Sequence, residues 1–328
     1  HEALTDAQLE LAAAVHNCGG IVIVQVERIV KGGTIPPKQV RIHNSLADYI
    51  VLAKPENHRQ GYASDHYRPE LTGELQVPTD ALPPMPLDIR KVIARRAAME
   101  LEPDCLVNLG IGIPSGVANV ANEEGIAHKM TLSLESGPVG GVPVDGVGFA
   151  ASVNAEAIYS ICDTFDLYDG GLLDMTFLGA AEIDRKGNVN VSKFGTRCTG
   201  PGGFINISQN ARRVFYVGAF TSGKLKTEIA GGTLRIVQEG SGIKFVDQVQ
   251  QITFSADYAT QSGQEVMYIT ERAVFRLTPE GPELIEIAPG VDLKRDILDQ
   301  MAFEPRISPD LKEMDPRLFR AEKMGLTL

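Results

Sequence analysis

From residue 87 onward the sequence alternates between helical patterns and short apolar runs that end in glycine. The segment LDIRKVIARRAAMEL (87–101) has apolar residues at helical spacing and predicts a helix with Arg and Lys on its opposite face. CLVNLG (105–110) then predicts a buried strand. The following segment predicts a helix that begins at an N-cap, Ser115, and ends at Gly125. Strands and helices that alternate at this spacing favour an α/β domain with a largely parallel sheet.

The alternation continues toward the C-terminus and then changes. Segments 130–136, 170–184 and 212–220 each contain a further apolar run typical of a strand. Between residues 234 and 288, the segments TLRIVQEG, QQITFSA, EVMYITERAVFRLT and PELIEIA predict an antiparallel meander, because turn residues separate short strand patterns. The predicted fold is therefore an open, largely parallel α/β sheet flanked by helices, with an antiparallel β segment near the C-terminus.

The first 85 residues have a different organisation. LTDAQLELAAAVHNCGG predicts one helix that ends at paired glycines, and IVIVQVERIV (21–30) predicts a buried strand. The segment VPTDALPPMP (77–86) has four prolines in ten residues, which is typical of a linker. We therefore expect residues 1–85 to be the end of a first domain plus a connector, and residues 86–328 to form a second domain.

Composition and charge argue against several functional classes. The chain has 31 basic and 42 acidic residues, a net charge of −11, which argues against nucleic acid or an anionic membrane as a main partner. No run approaches the roughly 18 uninterrupted apolar residues of a membrane span, so we expect no integral membrane protein. The six histidines and four cysteines show no ligand spacing, so we expect buried thiols and no metal site. Without a recognisable secretory leader, the expected localisation is cytoplasmic.

Three glycine-rich segments are candidates for a ligand site, because glycine lets the backbone approach a ligand closely. They are NLGIGIP (108–114), LESGPVGGVP (134–143) and GPGGFIN (200–206). Taken singly, each also fits a structural role: a tight turn, a strand-end salt bridge of Glu135, and a loop. The first segment lacks the third glycine of a dinucleotide fingerprint. Glu135 stands where a strand pattern ends, at the sheet edge where open α/β folds bind ligands.

In this order, the three segments resemble the second half of a class I coenzyme A transferase. The sequence is similar above all to the single-chain acetate or propionate CoA-transferase branch, which acts on short acyl-CoAs. The likeness covers essentially the whole chain, including HNCGGIVIVQVERIV, MPLDIRKVIARRAAMEL and IAPGVDLKRDIL. The chain resembles the C-terminal part of such an enzyme, lacking most of the first domain. A partner chain, cleavage or an incomplete sequence would each account for that difference.

The resemblance implies the roles of five residues. Glu135 would be the nucleophile and form a γ-glutamyl-CoA thioester. Gly110 and Gly112 would line the thioester site, and the backbone at Gly202 and Gly203 would help to hold the carbonyl oxygen. CoA would be a cosubstrate, with no permanently bound cofactor and no metal. The implied partners are acyl-CoA, an acetate-like carboxylate, further copies of the chain in a homo-oligomer and, as an alternative, a separate N-terminal chain.

A glutamate suits such a transfer because its acyl derivative exchanges with the carboxylate of a substrate. The first step is unfavourable, since a carboxyl of pKa about 4.3 displaces a thiol of pKa about 8.5, a difference of roughly 6 kcal/mol. Backbone donors at an oxyanion contribute about 3–4 kcal/mol each, and binding of the remote part of CoA contributes further. Glu135 must be ionised at pH 7, so a raised pKa is expected to hinder the reaction.

Two other functions remain open at this stage. An acyl-CoA hydrolase would use the same glutamate, with water in place of the acceptor carboxylate. A non-catalytic subunit or ligand sensor would have the same sugar-isomerase-like scaffold without turnover. The presence of Glu135 between glycine loops argues against the second alternative.

Overall fold

The segments that alternate in the sequence form helices around one central mixed sheet. The computed structural model describes residues 7–57, 68–78, 84–144 and 150–328. In these ranges the α-helices are α1 Gln8–Asn17, α2 Ile89–Ala98, α3 Gly116–Glu124, α4 Ile161–Asp169, α5 Phe204–Asn210 and α6 Ala256–Ser262. Shorter 3-10 or π turns are Pro37–Gln39, Asn44–Leu46, Pro55–Asn57, Pro69–Leu71, Ala127–Lys129, Leu293–Ile297, Leu298–Gln300 and Pro316–Phe319. None of the helices described is both long and apolar enough to cross a bilayer.

The strands are mostly short, with two to eight residues each. In chain order they are β1 Ile23–Val26, β2 Tyr49–Leu52, β3 Leu106–Leu109, β4 Thr131–Ser133, β5 Pro138–Val139, β6 Val142–Pro143, β7 Ser152–Val153, β8 Ala157–Ile158, β9 Met175–Leu178, β10 Glu182–Ile183, β11 Val189–Asn190, β12 Lys193–Phe194, β13 Arg197–Cys198, β14 Arg213–Val217, β15 Thr221–Ser222, β16 Lys226–Ala230, β17 Thr233–Gln238, β18 Gly242–Ile243, β19 Glu265–Ile269, β20 Ala273–Thr278, β21 Gly281–Ile287 and β22 Arg306–Glu313.

The central sheet has ten strands in the order β22-β21-β20-β19-β14-β9-β3-β4-β5-β8. Its middle is parallel, because β4, β3, β9, β14 and β19 pair in the same direction. On one side β19, β20 and β21 pair antiparallel, and on the other side β4, β5 and β8 do so. The predicted open, largely parallel sheet with a C-terminal antiparallel segment is confirmed. Strands β19 to β21 of that segment extend the central sheet, whereas β17 pairs with β16 in a separate antiparallel sheet.

Alternate residues of the central strands pack on opposite faces of the sheet, as strand geometry requires. Phe177 and Phe215 stack at 4.8 Å on the face covered by α2 and α3. Tyr216 and Tyr268 stack at 5.6 Å on the other face, which α4, α5 and α6 cover. All four rings are buried, so two apolar cores hold the parallel strands in register.

Helix α2 is buried on both faces, although the sequence predicted a basic face opposite its apolar one. Lys91, Arg95 and Arg96 are each at most 4% exposed. Lys91 pairs with Glu123 at 2.8 Å, and Arg96 pairs with Glu286 at 2.8 Å. The charged side chains are therefore accommodated by partners distant in sequence rather than by water.

Two local predictions are wrong. Segment 250–256 (QQITFSA) is not a strand: Phe254 forms an isolated bridge with Val189, and α6 begins at the end of the segment. Ser115 makes no side-chain cap to α3 and donates its hydroxyl hydrogen to Gly112 O at 2.7 Å instead. At Ser115, a nearby backbone carbonyl binds the hydroxyl, as it often does for short polar side chains near a helix start.

The N-terminal residues 7–57 have little buried surface. Strands β1 and β2 form a separate parallel pair, and Ile23 and Tyr49 are 64% and 61% exposed. The predicted buried strand within 21–30 is therefore a strand, but an exposed one. Of residues 7–57, Ala12 alone is buried.

The four cysteines are free, as expected, but they are not buried. Cys18 and Cys198 are exposed, and Cys105 and Cys162 are half-buried. Cys18 directly follows α1 and Cys198 ends the two-residue strand β13, and both lie at the surface, where apolar packing does not determine the choice of residue.

Candidate active site

Glu135 lies in a tight turn immediately after the central strand β4. The Leu134 N–H donates to Pro138 O at 2.9 Å, and the Gly137 N–H donates to Leu134 O at 3.0 Å. Gly137 has a φ of +124°, and a Cβ at this position would lie 2.1 Å from Tyr159 O. Because only glycine fits there, the turn is fixed and holds Glu135 at the carboxyl edge of the parallel strands.

The carboxylate of Glu135 lies against the backbone of the third glycine segment. A Cβ at Gly203 would lie 2.2 Å from Oε2 of Glu135 and 2.6 Å from Cζ of Phe165. Gly202, the preceding residue, has a φ of +54°, and no atom of the described residues lies within 4 Å of the position that its missing Cβ would take. The fold thus brings together Glu135 and Gly203, which are 68 positions apart, and leaves no room for a side chain between them.

The Glu135 carboxylate has no hydrogen bond or ion pair among the described residues, and burial raises its pKa above the ordinary value of 4.5. The raised pKa has two opposing chemical consequences. Ionisation becomes harder, which is the hindrance expected of a raised pKa, but the ionised carboxylate becomes a more basic nucleophile. The pKa gap to the departing thiol is then smaller, so the shift does not simply hinder an attack on a thioester.

A buried polar network lies below Glu135. Tyr168 and Ser133 share a hydrogen bond of 2.6 Å between their hydroxyls, and the Asn108 side-chain amide donates to Ser133 O at 3.1 Å. The Thr176 hydroxyl donates to Asn108 Oδ1 at 3.2 Å. Burial, with the charge of Glu135 as a smaller cause, raises the pKa of Tyr168 to about 12. Tyr168 is therefore a neutral phenol throughout the neutral range and orders the floor of the site.

This network was not predicted from the sequence, although one signal for it is present there. Asn108 and Thr176 are polar residues within otherwise apolar strands, and both are completely or almost completely buried. A polar side chain in such a strand needs a buried partner. Finding that partner requires knowledge of the strand order, which places β3 beside β9.

The first glycine segment follows β3, the neighbour of β4, so it lies beside the Glu135 turn at the same edge of the sheet. The Gly110 N–H donates to Phe177 O at 2.8 Å, and a Cβ on Gly110 would lie 3.3 Å from the Leu178 side chain. Gly112 has a φ of +85°, and within the described ranges no atom lies within 4 Å of its missing Cβ. Gly110 is thus packed against β9, whereas Gly112 borders open space.

Known proteins are similar to this chain over almost its whole length. Residues 90–292 match the family model for coenzyme A transferase. The chain is 49% identical over 323 residues to the caffeate CoA-transferase of Acetobacterium woodii, covering 97% of this chain and 62% of that protein. It is 46% identical over 320 residues to the acetate CoA-transferase YdiF of Escherichia coli K12, covering 98% of this chain and 60% of that protein.

Solved structures show the same relationship. The apoenzyme of acyl-CoA transferase YdiF from Escherichia coli O157:H7 matches 100% of this chain and 61% of its own, with a TM-score of 0.91 and 45% identity. A thioester complex of that enzyme with CoA matches with a TM-score of 0.90 and 44% identity. The chain spans about 60% of the length of these relatives. Because the coenzyme A transferase model matches residues 90–292, more than half of the chain, the chain belongs to the coenzyme A transferase family.

Proposed function

We propose that the protein transfers CoA between a short-chain acyl-CoA and an acetate-like acceptor carboxylate, with Glu135 as the covalent nucleophile. One observation carries this proposal: a half-buried carboxylate, without a hydrogen bond or ion pair among the described residues, lies against the Gly203 backbone at the carboxyl edge of the parallel strands. The thioester complex of YdiF with CoA supports it, because that relative is 44% identical over the length of this chain.

The reaction proceeds by two exchanges at the Glu135 carboxyl group. The carboxylate attacks the acyl-CoA carbonyl carbon, and the carbon–sulfur bond breaks. CoA departs as the thiolate, and a mixed anhydride between Glu135 and the donor acid remains. The thiolate then attacks the glutamyl carbonyl of that anhydride, so the donor carboxylate departs and a glutamyl-CoA thioester remains. The acceptor carboxylate repeats the same steps in reverse. CoA is therefore a cosubstrate, and the atoms balance without an oxidant or reductant.

The glycine segments supply space and backbone donors in this scheme. We assign the backbone at Gly202 and Gly203 to holding the developing oxyanion, supported by the contact between Gly203 and Glu135. Gly110 and Gly112 line the thioester site, and open space beside Gly112 supports that assignment. A backbone donor at an oxyanion contributes about 3–4 kcal/mol to the transition state.

The assay that tests this function measures acyl transfer by the wild type and by Glu135→Ala. We expect the substitution to abolish transfer while the melting temperature stays within a few degrees, because the side chain lies at a loop and not in either core. Release of free thiol, with and without acetate, distinguishes transfer from hydrolysis at the same glutamyl thioester. Near-wild-type transfer by the alanine variant would contradict the proposal.

We propose further that residues 7–57 are covered by additional polypeptide in the active assembly, either in a homo-oligomer or by a separate N-terminal chain. Parallel strands are normally buried on both faces, and in β1 and β2 the side chains of Ile23, Tyr49 and Ile50 are all more than half exposed. We place the assembly in the cytoplasm, since four free cysteines suit a reducing compartment. Light scattering of the purified material measures its mass, and a monomer would contradict the assembly.

A further inference from the structure

Residues 150–160, which we call the support segment, hold the turn of the nucleophile from one side. The Ser136 hydroxyl donates to Ala150 O at 2.5 Å. The Tyr159 N–H donates to Gly137 O at 3.0 Å, and a Cβ at Gly137 would lie 2.1 Å from Tyr159 O. The two residues that follow the nucleophile are therefore both bonded to the support segment.

The support segment also holds the rest of the second glycine segment (134–143). The Ser152 hydroxyl donates to Gly140 O at 2.8 Å. Strands β5 and β6 of the glycine segment pair with β8 and β7 of the support segment. A Cβ at Gly141 would lie 2.2 Å from Val153 O, so the two backbones pack without a side chain between them. The position of the turn thus follows from the position of the support segment.

The support segment contains two backbone conformations that residues other than glycine rarely adopt. Ala150 has a φ of +84° and Asn154 has a φ of +59°. In the described ranges, four residues other than glycine have a positive φ, and these are two of them. Such conformations persist where the surrounding contacts determine them. The support segment therefore depends on contacts beyond its own backbone.

Asn154 provides such a contact, because it joins the support segment to residues 68–78. The Val77 N–H donates to Asn154 Oδ1 at 3.0 Å, and Asn154 Nδ2 donates to Val77 O at 2.7 Å. The Asn154 N–H also donates to Glu70 O at 3.0 Å. The asparagine amide binds both backbone groups of Val77, as a neighbouring strand would, and it uses its donor and its acceptor at once.

This contact links two parts of the chain that are distant in sequence. Val77 lies 77 positions before Asn154 and precedes the predicted second domain at 86–328. Both bonds of the asparagine amide are partly buried, so water does not replace them freely if the amide is removed. Segment 68–78, Asn154 and the support segment thus form one continuous hydrogen-bonded path to the turn of the nucleophile.

We propose that Asn154 is a positioning residue for acyl transfer: by binding Val77, it makes segment 68–78 part of the support of the Glu135 turn. The inference rests on the proposed function, because that function makes Glu135 the nucleophile. Asn154 acts through the support segment and not on the substrate. Since a reacting group must be held within a fraction of an ångström, loosening the turn slows the chemical step more than it weakens substrate binding.

Asn154→Gly tests the proposal, because it removes the amide and glycine adopts a φ of +59° without strain. We expect kcat for acyl transfer to fall about tenfold, with KM changed by less than about twofold. The amide hydrogens of Gly137 and Gly140 are expected to exchange about tenfold faster, since their turn opens more readily. Steady-state kinetics and hydrogen exchange of the full chain measure these effects.

Asn154→Asp keeps the size of the side chain but places an oxygen against Val77 O. We expect it to lower kcat at least as much as the glycine variant, and it serves if that variant does not fold. The matched control is Asp104→Gly, because Asp104 is exposed, has a φ of +61° and lies before β3, at the other end of the parallel strands. We expect it to leave kcat and the exchange of Gly137 and Gly140 unchanged.

Three outcomes would overturn the proposal: a wild-type kcat in both Asn154 variants, an equal loss of kcat in Asp104→Gly, or a lower melting temperature with kcat and exchange unchanged. The last would mean that Asn154 only stabilises the fold. Hydrogen exchange needs no turnover. A wild type that transfers no acyl group, while Asn154→Gly still exchanges faster in the turn, would contradict the proposed function alone.

Discussion

Burial determines how Glu135 affects stability as well as chemistry. Its pKa in the folded chain is raised above 4.5, so the folded state disfavours the ionised carboxylate relative to the unfolded state. For an acid whose pKa is raised on folding, the cost is fully present at neutral pH and disappears as the pH falls below the unfolded value. Burial of the Glu135 carboxylate, which has no ion pair within the described ranges, therefore reduces stability at neutral pH.

This cost predicts a pH-dependent effect of Glu135→Gln. At pH 7 the variant is expected to melt about 1–3 °C above the wild type, because the neutral amide avoids the penalty of burying a charge. At pH 4 the difference is expected to vanish. Thermal unfolding of both proteins at the two pH values measures it. The same increase in melting temperature at both values would show that ionisation of Glu135 is not its cause.

The contact between Gly203 and Glu135 gives a second prediction at the scale of single residues. Gly203→Ala places a methyl group 2.2 Å from Oε2 and must displace the carboxylate. We expect transfer to fall by about 100-fold, as for other small displacements of a reacting group. Gly200→Ala is the control for a disturbance of the same loop, since Gly200 has a left-handed φ of +75° and open space, whereas Gly203 has a φ of −78° that alanine can adopt. Equal loss in both variants would point to loop strain instead.

At the scale of elements, α2 is held by its own basic residues as much as by its apolar side. Arg95 donates to four backbone carbonyls of the C-terminal segment, those of Arg317, Leu318, Arg320 and Glu322. This C-terminal segment turns back over α2 near the end of the chain and covers the core that contains Phe177 and Phe215. Arg95 therefore connects α2 to the C-terminal segment.

Arg95→Leu is expected to lower the free energy of unfolding by about 2–4 kcal/mol, because it leaves buried carbonyls without donors. Arg90→Leu in the same helix is the control, since Arg90 is exposed, and its effect is expected to stay within about 0.5 kcal/mol. Urea unfolding of both variants measures the difference. Equal effects would mean that helix propensity, not the carbonyl contacts, determines the loss.

The sequence predicted those helices and strands that are determined by the pattern of neighbouring residues. The apolar runs at 105–110 and 212–220 and the helix patterns between them were sufficient to predict a largely parallel sheet. The burial of Arg96 was not predictable, because its partner Glu286 is 190 positions away. Likewise, only the family resemblance placed Glu135 and Gly203 in one site, since no periodicity relates two loops 68 residues apart.

At the scale of the whole molecule, stability is distributed unevenly along the chain. The two apolar cores contain residues from α2 to the C-terminal segment, whereas residues 7–57 contribute little to either. We expect amide hydrogens of β1 and β2 to exchange much faster than those of β14, because local opening there exposes little new surface. Hydrogen exchange of the isolated chain measures this. Slow exchange in β1 and β2 would mean that this pair is covered in the isolated protein.

The central claim is that Glu135 becomes covalently joined to CoA during turnover. Mass spectrometry of the protein incubated with acyl-CoA, without acceptor, tests it most directly. The account predicts one CoA-sized adduct on the peptide that contains Glu135, sensitive to borohydride and absent from Glu135→Gln. An enzyme that is active in transfer yet forms no such adduct, or forms it on another residue, would contradict the account.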